Sequence, residues 1–129
     1  MLPFWTRYFT NSTFQGIIHM LPNQIDIPAA WYGADLSSRS DTWHYTLQDE
    51  EINELITAAN KFCASGKKLG KISPQSFVID KFAVRLSELQ EELRTGIGFQ
   101  LISGLPVEEL TPEIYSTIFC GLGSYLGKA

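Results

Sequence analysis

The side chains that most often bind metals or attack substrates are few in this 129-residue sequence. Its only histidines are His19 and His44, and its only cysteines are Cys63 and Cys120. A non-haem iron site made of two imidazoles and a carboxylate usually shows H-x-D or H-x-E together with a distant histidine. His19 is followed by Met-Leu and His44 by Tyr-Thr, so neither begins that motif. We predict that His44, between two aromatic residues, is a packing or hydrogen-bonding residue.

Nucleophilic and phosphate-binding motifs are also missing from the sequence. Cys63 and Cys120 fall within apolar helical patterns, where burial disfavours a reactive thiolate. No G-x-S-x-G, Walker or C-x-x-C motif occurs, and GIGF at 96–99 precedes its strand, which is the wrong order for dinucleotide binding. The acidic clusters at 49–54 and 88–92 are predicted to be solvent faces of helices, because acid–base pairs need unequal environments. We therefore predict no catalytic, cofactor-binding or metal-binding residue in this chain.

The composition is that of a soluble globular domain. Hydrophobic residues make up 44% and charged residues 19% of the chain. The net charge of -4 argues against nucleic acid and anionic membrane as partners, since both favour clustered Lys and Arg. The first residues show neither a basic n-region nor an apolar run long enough for a signal peptide or membrane span. Buried free thiols are the favoured interpretation of the two cysteines; the alternative, a disulfide, has no support from their spacing. Free thiols favour a reducing compartment, so the expected location is cytoplasmic.

Sequence periodicity predicts three helices. Apolar residues recur at helical spacing over 49–63, after an acidic first turn and before Gly66 as a C-terminal stop. A second apolar stripe with steps of three and four residues predicts a helix over 81–94. Thr111 as N-cap and Pro112 at the first helical position begin the third.

The strand GFQLI at 98–102 needs neighbours, because one strand cannot satisfy its own backbone groups. WHYTL at 43–47 is predicted to be a short strand or an extended entry segment. Residues 24–40 are predicted to be a loop, pinned to the core by the large apolar groups Trp31, Tyr32 and Trp43. The predicted strand therefore carries open edges that favour pairing with another chain.

Several segments together resemble the N-terminal region of the TauD/TfdA-like (taurine dioxygenase) family. They are PAAWYGADL (28–36), WHYTLQDEEINEL (43–55), LGKISPQSF (69–77), ELRTGIGFQLISGLPVEELTPE (92–113) and GLGSYLGKA (121–129). The resemblance divides the chain into a variable N-terminal arm, residues 1–24, and the N-terminal portion of a TauD/TfdA-like domain, residues 25–129. Its most specific parts, AWYGADL and GIGFQLISGLP, are not catalytic, so the match indicates ancestry better than activity.

The resemblance implies an oxidoreductase fold and a pair of cofactors. The implied fold class is α+β: helices and the first core strands of a double-stranded β-helix, or jelly roll, truncated before most of it. Family members use non-haem Fe(II) and 2-oxoglutarate, held by an H-x-D pair, a later His and an Arg near the C-terminus. None of these ligands has a matching position here, so this chain is expected to bind neither cofactor itself.

Three hypotheses about function follow from the resemblance. The first is a truncated dioxygenase that is not catalytically competent by itself. The second is a non-catalytic interaction module that self-associates or pairs with a homologous chain. The third is a gene-model fragment without selected function.

Overall fold

The computed structural model describes residues 25–127. It is helix-rich and has one small sheet, which is consistent with an α+β segment. The elements, in chain order, are α1 (Gly33–Ser37), α2 (Ser40–Trp43), β1 (His44–Thr46), α3 (Asp49–Ala64), a 3-10 turn (Leu69–Lys71), α4 (Lys81–Thr95), β2 (Leu101–Ser103), a second 3-10 turn (Val107–Glu109) and α5 (Pro112–Leu126). In this described range, no helix has the length and hydrophobicity that a bilayer crossing requires. The predicted arm, 1–24, lies outside the described residues.

β1 and β2 form a two-stranded parallel sheet. Tyr45 pairs with Ile102, and these two side chains pack against the hydrophobic core. Alternation along a strand therefore turns His44 and Thr46, together with Leu101 and Ser103, to the opposite face. The sheet places a strand in WHYTL, as predicted, and shifts the strand predicted at 98–102 to Leu101–Ser103. Half of Leu101 is exposed on the outer face.

The core is assembled from the three long helices and the segment between α3 and α4. Its fully buried large side chains are Leu55 of α3, Phe77 of the connecting segment, Phe82 of α4 and Ile118 of α5. Tyr45 contributes a partly buried ring that stacks on Phe82 with centroids 6.3 Å apart. One contiguous apolar cluster thus binds all three helices to one face of the sheet.

The helix ends follow the capping signals in the sequence. Gln48 and Glu51 form a capping box at the start of α3, and Gly66 stands just beyond its end with φ of 69°. The Thr111 hydroxyl accepts the N–H of Ile114 at 3.4 Å, with Pro112 at the first position of α5. Gly66, Thr111 and Pro112 are local signals that do not depend on tertiary contacts, and the predictions made from them are confirmed. The capping box was not predicted.

The segment 24–40, predicted as a loop, instead contains α1, and α2 begins at its last residue, so that prediction was wrong in part. The Trp43 indole N–H donates to the Leu36 carbonyl at 2.9 Å, and Trp31 donates to the Ile97 carbonyl at 3.0 Å. Both rings also pack near Phe99, with centroid distances of 5.9 and 5.1 Å. Trp31 and Trp43 therefore hold this segment to Ile97 and Phe99, which lie outside the core cluster, whereas Tyr32 is 73% exposed.

Glu54 of α3 caps the N-terminus of α4. Its carboxylate accepts the backbone N–H groups of Asp80, Lys81 and Phe82 at 2.7, 3.0 and 3.0 Å. The Asp80 side chain makes no such bond, so a residue from another helix satisfies the first turn. Burial raises the pKa of Glu54, but the three backbone N–H groups outweigh it and hold the pKa below its ordinary value.

Replacing Glu54 by Gln is expected to lower the free energy of unfolding at pH 7 by about 1 kcal/mol, because a neutral amide oxygen is a weaker acceptor for these N–H groups. The stabilisation that the ionised Glu54 carboxylate gives the native protein is complete above its ordinary pKa of 4.5. It is lost as the pH falls through the lower pKa of the folded state. Urea unfolding at pH 7 and in acid would show the difference between the two proteins shrinking in acid.

Glu50→Gln is the matched control for this substitution. It removes an exposed ion pair with Lys81, an interaction that contributes little in solvent. A loss of stability as large as that of Glu54→Gln would contradict the capping role.

Phe77 and α5 fit closely together. A Cβ added at Gly121 would lie 2.6 Å from the Phe77 ring, so the helix backbone rests directly on that ring. The Tyr125 hydroxyl donates to the Phe77 carbonyl at 3.0 Å and accepts the Ile79 N–H at 3.2 Å. These contacts fix α5 against the segment between α3 and α4.

Two glycines of α5 are expected to respond in opposite directions to alanine. Gly121→Ala should destabilise the fold by about 1–3 kcal/mol, because the methyl group overpacks the Phe77 ring. Gly123→Ala should stabilise it by about 0.5–1 kcal/mol, because that position is open and alanine is the better helix former. Urea midpoints measure both, and shifts of the same sign would contradict the packing described here.

Candidate functional site: an apolar groove beside the second strand

A groove of about 890 Å³ lies between β2, α4 and α5. Its β2 side is formed by Gln100, Ile102 and Leu105, which belong to the strand or flank it. The opposite walls are leucines of α4 and a row of α5 residues, namely Leu86, Leu89, Tyr115, Ser116, Phe119, Leu122 and Leu126. None of the described residues that line the groove is charged. Such a surface favours apolar contact over recognition of a polar small molecule.

The composition of α5 explains why this groove is uncharged and apolar. Glu113, in its first turn, is the helix's only charged residue. A helix that is apolar on all sides is normally buried. One side of α5 does face the core through Ile118, which is 1% exposed, but Phe119 on the groove side is 77% exposed. An exposed aromatic ring therefore lies beside a groove that no charged residue lines.

The outer face of the sheet carries a small polar cluster. His44 Nε2 lies 2.7 Å from the Ser103 hydroxyl, and the Thr46 hydroxyl lies 3.4 Å from the same oxygen. The His44 ring also stacks beside Trp43, with centroids 6.2 Å apart. This arrangement agrees with the prediction that His44 packs and hydrogen-bonds, and it brings hydroxyl groups, not carboxylates, to the imidazole.

The described residues do not fit a non-haem iron centre. Across 25–127, no three His, Cys, Asp or Glu side chains are grouped so that they could hold a metal ion. His19 lies outside the described residues. No step that uses iron or 2-oxoglutarate can be assigned to the residues seen here.

Both cysteines are free and partly buried. Cys63 Sγ lies 3.5 Å from the hydroxyl of Thr117, which is buried in the interface of α3 and α5. Cys120 lines the groove. The sequence predicted buried free thiols, and the structure places both as free thiols with partial burial.

Two of the acidic residues predicted to face solvent have structural partners instead. Glu51 accepts the Tyr45 hydroxyl at 2.8 Å and the Gln48 N–H at 2.8 Å, so it joins β1 to α3. Burial, then the Glu51 carboxylate, raises the pKa of Tyr45. Glu54 caps α4, as described above. A carboxylate at a helix start can bind backbone groups of a neighbouring element, which sequence alone does not reveal.

Comparisons with known proteins give low-identity matches. The chain is 25% identical over 108 residues to the taurine hydroxylase-like protein SAT17 of Stachybotrys chartarum. The matched region covers 84% of this chain and 28% of that protein. It is 21% identical over 113 residues to FR-33289 synthase of Streptomyces rubellomurinus. That matched region covers 88% of this chain and 33% of the synthase. No protein-family model matches the chain. The first name supports the TauD/TfdA-like resemblance at the family level, and the chain spans about a third or less of each relative.

Phe119→Ser is expected to change the free energy of unfolding by less than about 0.5 kcal/mol, because the ring is already exposed. It should nevertheless weaken binding of an apolar fluorescent dye to the groove. Val84→Ser is the control, because Val84 is 66% exposed on α4 and does not line the groove. Equal dye binding by the two variants would show that the groove is not the accessible apolar surface.

Proposed function

We propose that residues 25–129 are the N-terminal helical portion and first strands of a TauD/TfdA-like dioxygenase fold. In this proposal the segment is a scaffold. The iron and 2-oxoglutarate ligands come from polypeptide outside these 129 residues, and the chain is not a competent oxidoreductase by itself. The observation that carries the proposal is the match of most of this chain to a third or less of each relative. In the structure, all three long helices pack against one face of the β1–β2 pair.

The geometry of that pair supports a scaffold role. Parallel sheets are normally covered on both faces and continue over several strands. Here the described residues cover one face and supply two strands of three residues each. A jelly roll needs more strands and a second sheet, and the outer face with Leu101, His44 and Ser103 is where a second layer would pack.

The two relatives support the same interpretation. Most of this chain aligns with each of them, while most of each relative's length has no counterpart here. The absence of an H-x-D or H-x-E motif after either histidine is in keeping with ligands that lie elsewhere. We therefore assign the segment to folding and positioning, not to the chemical step.

An anaerobic titration with Fe(II) and 2-oxoglutarate tests this proposal. The 129-residue chain should give no charge-transfer absorbance band. A fusion that joins it to the part of the Stachybotrys relative outside the match should give one. A band of 1:1 stoichiometry from the chain alone would contradict the proposal, and so would a folded fusion without a band.

A further inference from the structure

We propose that the free edge of β2 and the groove beside it form one strand-addition site. Its occupant is an extended, apolar strand from the part of a dioxygenase-length polypeptide that this chain does not span. The inference rests on the proposed function and goes beyond it, because it names the edge, the groove and the type of segment that binds them.

The hydrogen bonds of the sheet identify the edge. The Leu47 N–H donates to the Ser103 carbonyl at 2.9 Å, which continues the parallel ladder beyond β1. Backbone groups of alternate residues point to the same side of a strand, so those of Leu101 and Ser103 face β1. The N–H and C=O of Ile102 then point to the other edge, where the described residues place no further strand. A strand laid along β2 would satisfy both groups.

The groove lies where the side chains of that strand would enter. Ile102 lines it from β2, and Leu86 and Leu122 line it from α4 and α5. Successive side chains of a strand alternate between faces. Every second residue of an added strand would therefore contact these helices, and Phe119 would be covered by the incoming segment. This recognition mode combines main-chain hydrogen bonds with pockets for alternate side chains.

The described residues of a second copy contain no free apolar strand that could occupy this site. Its own strands are His44–Thr46 and Leu101–Ser103, and their apolar inward side chains, Tyr45 and Ile102, already pack on their own core. A second copy would therefore bring no free apolar strand from its described residues, and it would add a net charge of -4. The relatives, in contrast, have most of their length outside the match, which is enough polypeptide for further strands.

Amide hydrogen exchange tests the site directly. The 129-residue chain is mixed with the separately expressed part of the Stachybotrys relative that lies outside the match, and in a second format the two are fused. Exchange at the Ile102 N–H should slow at least tenfold relative to the isolated chain in one or both formats. Phe119→Glu should reduce that protection, whereas Val84→Glu, exposed on α4 away from the groove, should leave it unchanged.

Three outcomes would overturn the site. Exchange at Ile102 could remain as fast as in the isolated chain in both formats. Protection could appear only at His44 and Thr46, on the opposite edge of the sheet. The isolated chain could also dimerise by light scattering with Ile102 protected, which would make a second copy the occupant.

The same samples separate this inference from the proposed function. Protection of Ile102 without an Fe(II)–2-oxoglutarate absorbance band would sustain the strand-addition site and contradict the dioxygenase assignment. An absorbance band with Ile102 unprotected would support the assignment and overturn the site.

Discussion

The parallel pairing of β1 with β2 is the constraint on which the rest of the described structure depends. Parallel neighbours cannot be joined by a hairpin, so the chain between Thr46 and Leu101 has to cross over before it returns. That crossover contains α3 and α4, and both pack on the face that Tyr45 and Ile102 present. α5, which follows β2, joins the same cluster through Ile118. The single covered face of the sheet is thus a consequence of its connectivity.

The helices that cover this face are held by a few specific contacts in addition to apolar burial. Glu54 ties the start of α4 to α3, and Tyr125 ties the end of α5 to the segment that carries Phe77. Gly121 lets α5 approach the Phe77 ring closely. With this side of α5 committed to the core, Phe119 is left on the other side with nothing in the described structure to cover it. α5 therefore packs on the core with one side and lines the groove with another, which accounts for its single charged residue.

The sequence predicted the parts of this fold that depend on local signals. The bounds of α3 and α4 and the start of α5 follow from caps and apolar spacing, and the predicted positions agree with the structure to within a residue. α1 and α2 were missed because five and four residues are too few to show a helical period. Phe77, fully buried, was missed because Pro74 and two serines give its segment the composition of a loop. Leu93 continues the spacing of Phe82, Leu86 and Leu89 in the sequence but is 39% exposed near the end of α4.

The groove was beyond the reach of sequence patterns for a different reason. Leu47, Leu86, Ile102 and Phe119 come from separate segments, and only the tertiary fold brings them to one place. Along GFQLI, period-two alternation puts Phe99 and Leu101 on one side and Gln100 and Ile102 on the other, so only the first side is fully apolar in sequence. The structure nevertheless turns Ile102 to the core, because the covered face is set by where the crossover helices pack.

The residues that carry the family resemblance have structural partners in this fold. Trp31, from AWYGADL, donates to the Ile97 carbonyl and packs on Phe99, and both of those residues lie within GIGFQLISGLP. Gly104, in the same stretch, has φ of 99°, and a Cβ there would lie 3.4 Å from the Leu47 nitrogen. The two most specific motifs are thus joined to each other where the chain enters β2. These contacts give the two motifs a structural role: Trp31 fixes the segment before β2, and Gly104 lets the backbone turn closely past Leu47.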